Sequence, residues 1–447
     1  MISRKFKIFL FILALCGMLF GLFQYSVYWN REFSTNPYDQ ILKEFSHKRI
    51  ILLGDCAHGK AMPLKAVTSF LEVWIEALEQ RNTDLHKLTL VLEKDSEDVK
   101  QMLEYIYQGD LDGVYGGGSF SSLENLEFYS DLKRVMGKIE TLNQSRVKLS
   151  KINFEIIGPE STTKEPYYQM SLEDSFDYFI KKRDQETAQY IFDYCDKRPE
   201  QKLLFFYGNA HLMRGIRNKL PQVKTAFGYF LAHILTERFG MERVLTVNQE
   251  PGIVYFNTTR NGDVCDGLVK DKSIRSIYLQ RSWLQNQFFD LLRTPTYDAT
   301  IVHRDKETPQ FPLDEICSKN VVNNGIKRLE YIYSFSPKVG YLAKTEANEI
   351  IRQLKHITKE NFGAAQAWRD WFDNNSDAVD FFPSPVANNS KEYSKKYLPN
   401  LIGILKLGTI SEKARARELL VKETGKDFSE PLDYLKWVRT NFFKVSY

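Results

Sequence analysis

Short apolar runs rich in β-branched residues alternate with longer stretches of helical periodicity between about residue 48 and residue 304. The runs that favour strands are 49–53, 88–92, 154–157, 203–207, 244–247 and 299–302. Between the first two runs, apolar side chains recur at helical spacing, as at Leu64, Val67, Phe70, Leu71 and Trp74. Continuous apolar strands joined by crossover helices are typical of a mainly parallel sheet flanked by helices. The pattern therefore predicts an α/β domain over residues 45–305.

After about residue 310 the pattern is helical, without a further buried strand, and an internal repeat appears. Residues 354–371 match residues 420–437 at a constant offset of 66, with Leu, Thr, Phe and Trp at equivalent positions. Each copy predicts a helix, a tight turn and a second helix, which resembles the helical pairs of HEAT-type repeats. Two copies are few for a solenoid, so we predict a small α-helical HEAT-like domain over residues 340–447. That domain could bind a protein partner, and a fragment that ends near residue 310 is expected to fold without it.

The composition narrows the classes of protein that the chain can belong to. Of 447 residues, 43% are apolar and 26% are charged, which is typical of a globular protein and excludes a largely disordered, collagenous or multi-span membrane chain. The net charge is only +4, from 61 basic and 57 acidic residues, so we expect no nucleic-acid partner. Five cysteines make no disulfide framework, although Cys265 and Cys317 could pair outside the cytoplasm.

The first 30 residues contain an apolar segment with basic residues before it. Ile8–Phe23 is unbroken by any polar residue, and the chain up to Trp29 extends it to a length that could span a bilayer. Bulky residues, instead of a small-residue cleavage site, follow the run, which favours an uncleaved signal anchor over a cleaved signal peptide. With Arg4, Lys5 and Lys7 on the cytoplasmic side, residues 1–30 predict a single-pass protein of the cytoplasmic membrane whose body is extracytoplasmic.

Polar residues directly follow four of the predicted strands. Asp55 and His58 follow the first, Glu93 the second, Glu160 the third and His211 the fourth. Because the carboxyl ends of parallel strands lie at one edge of a sheet, these side chains can converge on a single pocket. A single histidine at a strand end is more often structural, so the pair of histidines together with Glu93 is what indicates a site.

These motifs occur in an order that resembles a known family. The order is Gly54-Asp55-x-x-His58-Gly59, Leu92-Glu93-Lys94-Asp95, Arg183-Asp184-Gln185-Glu186-Thr187-Ala188 and Gly208-Asn209-Ala210-His211. It resembles the erythromycin esterase-like group and the wider superfamily that includes the ChaN haem-binding proteins and the TraB and Tiki proteins. The resemblance covers about residues 45 to 305. It departs from the esterase pattern, which usually has Glu in place of Asp55 and Thr in place of Ala57.

The resemblance implies catalytic roles for Asp55, His58, Glu93, Arg183 and His211. His58 beside Asp55 or Glu93 could take a proton from water, which would make a hydrolytic nucleophile. His211 could orient the substrate or protonate the leaving oxygen, and Arg183 could stabilise an oxyanion or bind a carboxylate. Alternatively, His58, Glu93 and His211 could hold a divalent metal whose bound water is the nucleophile.

Two more residues, Asn209 and Glu186, are implied to contact the substrate. Arg183 could instead be the structural partner of an acidic residue, and Glu186 could simply be an acidic residue in the first turn of a helix. His303 belongs with His47, His86, His233 and His356, which have no spacing typical of metal ligands and for which structural or surface roles are expected.

Three classes of function remain open. The leading one is hydrolysis of an ester or amide bond in a small-molecule or peptide substrate. The second, implied by the ChaN resemblance, is binding of haem or of another iron-containing ligand. The third is a scaffold without catalysis, with the helical repeats as its binding surface.

Overall fold

A computed structural model of the protein describes residues 33–34, 36–55, 61–108, 122–146, 151–160, 169–171, 173–174, 178, 182–214, 230–251, 276–280, 297–303, 311, 316–334, 340–383 and 391–442. Its strands are β1 (Phe33–Ser34), β2 (Ile50–Asp55), β3 (Lys87–Leu92), β4 (Asn153–Ile157), β5 (Lys202–Gly208), β6 (Val244–Pro251), β7 (Ser276–Gln280) and β8 (Ala299–His303). All eight strands form one sheet.

Six of the strands are parallel to their neighbours, in the spatial order β8, β6, β2, β5, β3 and β4. β7 pairs antiparallel with β8, and β1 pairs antiparallel with β7. The predicted mainly parallel sheet is thereby confirmed, and the six parallel strands coincide with the six predicted runs. β5 lies between β2 and β3, so the ends of these three strands are direct neighbours at one edge of the sheet.

Helices cover both faces of the sheet. Within its first 303 residues the described helices are α1 (Pro37–Glu44), α2 (Ala61–Glu79), α3 (Ser96–Gln108), α4 (Leu123–Gln144), α5 (Arg183–Lys197), α6 (Asn209–Leu212) and α7 (Leu231–Phe239). Alternate residues of β2 point to opposite faces: Ile51 and Leu53 join the core beneath α2 and α4, whereas Ile50 and Leu52 join the core beneath α5 and α7. Fully buried strands need both covers, which is why their sequences are continuously apolar.

The C-terminal region is helical. Its helices are α8 (Lys319–Ser334), α9 (Tyr341–Thr358), α10 (Ala365–Asn375), α11 (Lys391–Leu407), α12 (Ile410–Thr424) and α13 (Pro431–Phe442). The two copies of the repeat are the helix pairs α9–α10 and α12–α13.

The two repeat copies end their first helices in the same way. Lys359 and Gly425 follow α9 and α12 with φ values of 67° and 66°, the left-handed conformation common at the residue after a helix. In each copy the preceding threonine, Thr358 or Thr424, donates its hydroxyl to the carbonyl four residues earlier, at 2.8 and 2.7 Å. The same threonine oxygen accepts a backbone N–H two residues later.

Aromatic rings then fold the second helix of each copy back over the turn. Phe362 and Trp368 meet edge to face with ring centroids 5.0 Å apart, and Phe428 and Tyr434 meet in the same way at 4.9 Å. The sequence repeat is therefore a repeat of one local structure.

The two copies differ in what they pack against. The first copy, with α8, has a core of its own that includes Trp368 and Phe372. The second copy contributes Leu420 and Leu435 to the same buried cluster that holds Leu53 of β2. Apolar burial is thus continuous from the sheet to the last two helices.

A buried ion-pair cluster adds to that contact. Arg439 of α13 is 1% exposed and donates to Glu124 at 2.8 Å and to Glu127, both on α4. Glu124 in turn accepts the backbone N–H of Phe311 at 3.2 Å. The cluster joins the last helix, the chain just before the helical region and the α/β domain.

Several predicted features lie outside the described residues. They are the segment Ile8–Trp29, His58, and Cys265 with its proposed pairing to Cys317. Among the helices that the structure describes, none combines the length and the apolar character needed to cross a membrane.

Candidate functional site

Three of the predicted site residues contact one another at the carboxyl edge of the sheet. Glu93 directly follows β3, His211 lies in the short helix α6 after β5, and Arg183 begins α5. The parallel pairing of β3 with β5 places Glu93 beside the end of β5. The convergence expected from the strand order is therefore observed for Glu93 and His211, and Arg183 joins them from the start of α5.

Both carboxylate oxygens of Glu93 accept hydrogen bonds. Oε1 accepts from Nη2 of Arg183 at 2.6 Å, and Oε2 accepts from the backbone N–H of Gly208 at 2.6 Å. Nε2 of His211 is 3.3 Å from Oε1. The Glu93 side chain is 15% exposed, so it is largely buried but still reached by solvent.

The imidazole of His211 lies between two carboxylates. Its Nδ1 is 2.6 Å from Oδ1 of Asp184, which is the stronger contact, and its Nε2 faces Glu93. The second oxygen of Asp184 accepts the backbone N–H of Leu231 at 3.0 Å, which fixes the carboxylate. The ring of Tyr207 packs edge to face against the imidazole, with centroids 5.8 Å apart. The orientation of His211 is thus set on three sides.

These contacts determine the charges of the pair. Burial alone would lower the pKa of His211, but the hydrogen bonds and charges of Asp184 and Glu93 outweigh burial and raise that pKa to about 9. Burial alone would raise the pKa of Glu93, but the hydrogen bond from His211 and the positive charges of His211 and Arg183 hold it well below its usual range. At neutral pH the site therefore holds an imidazolium against a carboxylate.

Arg183 binds a second carboxylate as well. Its Nε donates to Oε1 of Glu160 at 2.9 Å, and its Nη2 contacts the same oxygen at 2.5 Å. Burial raises the pKa of Glu160 above its usual range, the charge of Arg183 opposes this, and the charge of Glu93 adds to it. With Glu93 and Glu160 both on one guanidinium, Arg183 acts here as the partner of acidic residues, which was the alternative reading of its sequence.

Asp55 ends β2 on the other side of β5. It is paired in register with Gly208, whose N–H binds Glu93, and it is 8% exposed. Adjacent strands lie about 4.8 Å apart, so the backbones at Asp55 and Glu93 are separated by the width of two such spacings. In the alternation along β2, Asp55 belongs with Ile51 and Leu53, which face α2 and α4, whereas Gly54 faces Leu212 of α6. The structure therefore places Asp55 on the opposite face of the sheet from His211 and Asp184 and does not bring it together with them.

Asn209 holds the turn between β5 and α6 against β2. A Cβ atom on Gly54 would lie 1.9 Å from Oδ1 of Asn209, so only glycine admits this side chain at that point. Oδ1 of Asn209 is buried and has no hydrogen-bond partner within the described part of the chain. An amide oxygen of this kind could accept a hydrogen bond from a ligand N–H or O–H, which is the type of contact that the resemblance implies for Asn209.

Glu186 does not join the other predicted residues. It is exposed on α5 and accepts the hydroxyl of Tyr178 at 3.2 Å. Residues that are two positions apart in a helix point to nearly opposite faces. Asp184 and Glu186 therefore cannot both point at His211. Asp184, one position after Arg183, is the acidic residue of α5 that contacts His211.

Asp184 and Glu160 are the two residues of the site to which the sequence analysis assigned no role. Glu160 was noted only as a polar residue at a strand end. For Asp184 the available signal was its place in the first turn of α5, three residues before the buried Thr187 and four before the buried Ala188. That spacing puts Asp184 on the inner face of the helix.

The described residues do not offer a suitable set of ligands for a divalent metal. Within the described part of the chain, no three His, Cys, Asp or Glu side chains are grouped so that they could hold a metal ion. A histidine ligand must be neutral with a free ring nitrogen, whereas both nitrogens of His211 face carboxylates and Glu93 accepts from three donors. For the same reason His211 has no nitrogen to offer to a haem iron.

The comparisons with known proteins add likenesses to solved structures. No protein-family model matches the chain, and no curated protein matches it. A mutant erythromycin esterase in its open conformation shares 10% identity, with 59% of this chain and 92% of that chain covered and a TM-score of 0.35.

Two further structures show likenesses of the same order. A succinoglycan biosynthesis protein shares 13% identity over 62% of this chain and 94% of its own, with a TM-score of 0.38. A protein from Bacillus cereus shares 10% identity over 62% of this chain and 93% of its own, with a TM-score of 0.36.

Proposed function

We propose that the protein hydrolyses an ester or amide bond with a water molecule activated at the carboxyl edge of the sheet. The observation that carries the proposal is the imidazole of His211, held between the carboxylates of Asp184 and Glu93 at the carboxyl edge of the sheet. Its raised pKa makes it a positive N–H group in a largely buried place, which is suited to stabilise negative charge that develops on a substrate oxygen.

His211 is the proposed proton donor. Its raised pKa keeps the ring protonated at neutral pH, so it cannot be the group that takes a proton from water. The contact of Nε2 with Glu93 is longer than the contact of Nδ1 with Asp184, so Nε2 is the nitrogen that a substrate oxygen can share. We assign to it the protonation of the leaving oxygen, or of the leaving nitrogen in an amide.

The base that accepts the proton of water must then be a different group. We propose His58, which lies outside the described residues and three positions after Asp55 in the sequence. A neutral histidine beside a carboxylate has the basicity that this step requires. In this scheme Asp55 orients His58, and Arg183 with Glu160 holds Glu93 in place.

The proposal predicts a large effect of single substitutions on turnover of chromogenic esters. In an assay with a panel of p-nitrophenyl esters, we expect His211→Gln and His58→Ala to lower kcat by about 10²- to 10⁴-fold, because each removes a proton-transfer group. His233→Gln is the matched control, since its ring contacts Glu237 on the same helix at 3.1 Å. Normal turnover by both site variants would contradict the proposal.

Addition of a chelator separates this scheme from metal-bound water. We expect no loss of turnover in excess chelator, because the described acidic and imidazole groups already bind one another. Activity that disappears with the chelator and returns with a divalent ion would favour the metal alternative.

Haem binding remains the second candidate, supported only by the family resemblance. Titration of the protein with haem would show a shifted Soret band if a side chain ligated the iron. No hydrolysis of any ester or amide tested, together with no haem binding, would leave the third candidate, a scaffold.

We also propose that the protein acts outside the cytoplasm, attached to the cytoplasmic membrane by residues 1–30. The support is the length of the apolar segment Ile8–Trp29 and the basic residues Arg4, Lys5 and Lys7 before it.

A further inference from the structure

Gln249 contacts two of the predicted motifs at once. It lies on β6, next to β2, and is fully buried. Its Nε2 donates to the backbone oxygen of Gly54 at 2.5 Å, one residue before Asp55. Its backbone oxygen accepts from Nδ2 of Asn209 at 3.5 Å, and Asn209 begins the helix that carries His211. Gln249 therefore connects the end of β2 with the turn after β5.

His303 determines which way the Gln249 amide points. It ends β8, is 5% exposed, and its Nε2 lies 2.8 Å from Oε1 of Gln249. Burial lowers the pKa of His303 to about 4, so the ring is neutral at neutral pH. An amide oxygen only accepts, so Nε2 of His303 must carry the hydrogen. If the amide turned over, its NH₂ group would face that N–H and its oxygen would face the carbonyl of Gly54, with both hydrogen bonds lost.

The hydrogen-bonded pair of His303 and Gln249 is buried in the interior of the protein. Burying an imidazole and an amide costs free energy even when their hydrogen bonds are made, and apolar residues of similar volume would fill the space without that cost. The pair lies at the same edge of the sheet as the site, and its hydrogen bonds end on the segments that carry Asp55 and His211. Positioning of those segments is what the pair supplies.

We propose that His303, acting through Gln249, is a positioning residue that holds the end of β2 and the turn carrying His211 at a fixed separation. The inference rests on the proposed function, because β2 is the strand that precedes the proposed base His58 in the sequence and α6 carries the proposed acid His211. A displacement of about 1 Å between reacting groups can cost about 100-fold in rate.

The test compares two substitutions at His303 that differ only in whether a donor is kept. His303→Gln can still donate an N–H to Gln249, whereas His303→Leu cannot. With a p-nitrophenyl ester as the probe, we expect His303→Leu to lower kcat by about 10- to 100-fold with KM nearly unchanged, and His303→Gln to keep kcat within about threefold of the wild type. His233→Leu is the control for the same change on an outer helix.

A second readout does not depend on hydrolysis. NMR of ¹⁵N-histidine-labelled protein reports the pKa of His211, which we expect to fall by about one unit or more in His303→Leu, as α6 moves away from Asp184 and Glu93, and to stay unchanged in His303→Gln. If the wild type hydrolyses no ester, the proposed function fails, while this measurement still decides the role of His303.

Three results would overturn the inference. One is a folded His303→Leu variant with unchanged kcat and unchanged His211 pKa. Another is a His303→Gln variant that is as impaired as His303→Leu, with melting temperatures equal to that of the wild type. If His303→Leu does not fold, the wild-type spectrum alone is decisive: a neutral His303 ring with its hydrogen on Nδ1 could not donate to Gln249.

Discussion

The position of His211 between two carboxylates makes the stability of the protein depend on pH in a defined direction. Its pKa is raised from 6.5 to about 9 on folding, so its contribution is fully present below pH 6.5 and is lost as the pH rises through 9. The contribution is about 3 kcal/mol, given about 1.4 kcal/mol for each unit of pKa.

We therefore expect the wild type to be more stable than His211→Gln near neutral pH and to lose this difference in free energy of unfolding at alkaline pH. Urea unfolding at about pH 6 and about pH 9.5 should show the difference in free energy of unfolding shrinking by about 3 kcal/mol. His233→Gln, compared in the same way, should show no such change. A difference that is equal at both pH values would mean that His211 is neutral in the folded protein.

Asp184 should control the alkaline limit of activity. Asp184→Asn removes the charge that contacts Nδ1, so the pKa of His211 should fall toward its ordinary value. The alkaline limb of the pH profile of kcat should then move to lower pH by about one unit or more, which a purely structural defect would not cause. Glu186→Gln, on the opposite face of the same helix, is the matched control.

The residues of the site could be predicted only as far as strand order and strand ends determine them. Glu93 and His211 follow buried strands, so their convergence was predictable. Asp184 was not, because its role depends on the rotation of α5 about its own axis. His303 was not, because a histidine at the end of an apolar run looks the same whether it binds a buried amide or solvent.

At the scale of elements, the two repeat turns provide a matched pair of predictions. Lys359 and Gly425 have nearly the same left-handed φ, which costs a residue with a Cβ atom about 1 kcal/mol. Lys359→Gly should therefore raise the free energy of unfolding by about 0.5–1 kcal/mol, and Gly425→Ala should lower it by about 1 kcal/mol.

Urea unfolding of the two variants checks this pair. No atom lies within 4 Å of a Cβ placed on Gly425, so the loss there comes from the backbone alone. Stability changes of the same sign in both variants would show that the turns are not equivalent.

The strands illustrate which elements the sequence defines. Five of the six parallel strands are largely buried, and such strands are mostly apolar runs, whereas β4 at the end of the sheet is only partly buried. β1 has only two residues and β7 lies toward the edge of the sheet, so neither strand produces a continuous apolar run in the sequence. The position of β5 between β2 and β3 cannot be predicted from any single apolar run. The order of strands in the sheet depends on how the helices that connect them pack.

At the scale of the molecule, the last helix and the α/β domain should be energetically inseparable. Replacing Arg439 with Met leaves the carboxylates of Glu124 and Glu127 buried without their partner. We expect a loss of about 3–5 kcal/mol in the free energy of unfolding, the usual effect of breaking a buried ion pair from one side. Lys436→Met, which alters the exposed face of α13, should change it by less than about 0.5 kcal/mol.

The shared core also changes the expectation for a fragment that ends near residue 310. Such a fragment loses the second repeat copy and exposes the part of the core that Leu420 and Leu435 cover. It should be insoluble or bind hydrophobic dyes, although every strand of the sheet precedes the truncation. A soluble, cooperatively folding fragment would show that the helices are a separate unit.

The orientation of the whole molecule relative to a membrane stays a prediction. Protease added to spheroplasts should degrade the body of the protein, because the basic residues before Ile8 are retained in the cytoplasm. A body protected until the spheroplasts are lysed would reverse the orientation. A mature chain that begins near residue 25 would show that the segment is a signal peptide.

The insertion of β5 between β2 and β3 has a consequence for how the protein is made. The ribosome delivers β2 and β3 first, yet neither can pair with the other in the final sheet, and each waits with an open edge for a strand from later in the chain. The hydrogen bonds of Glu93 to Gly208 and His211 form only when β5 enters that gap and brings both residues with it. Until then the growing chain has two unpaired strand edges, and unpaired edges are the surfaces through which folding intermediates associate wrongly.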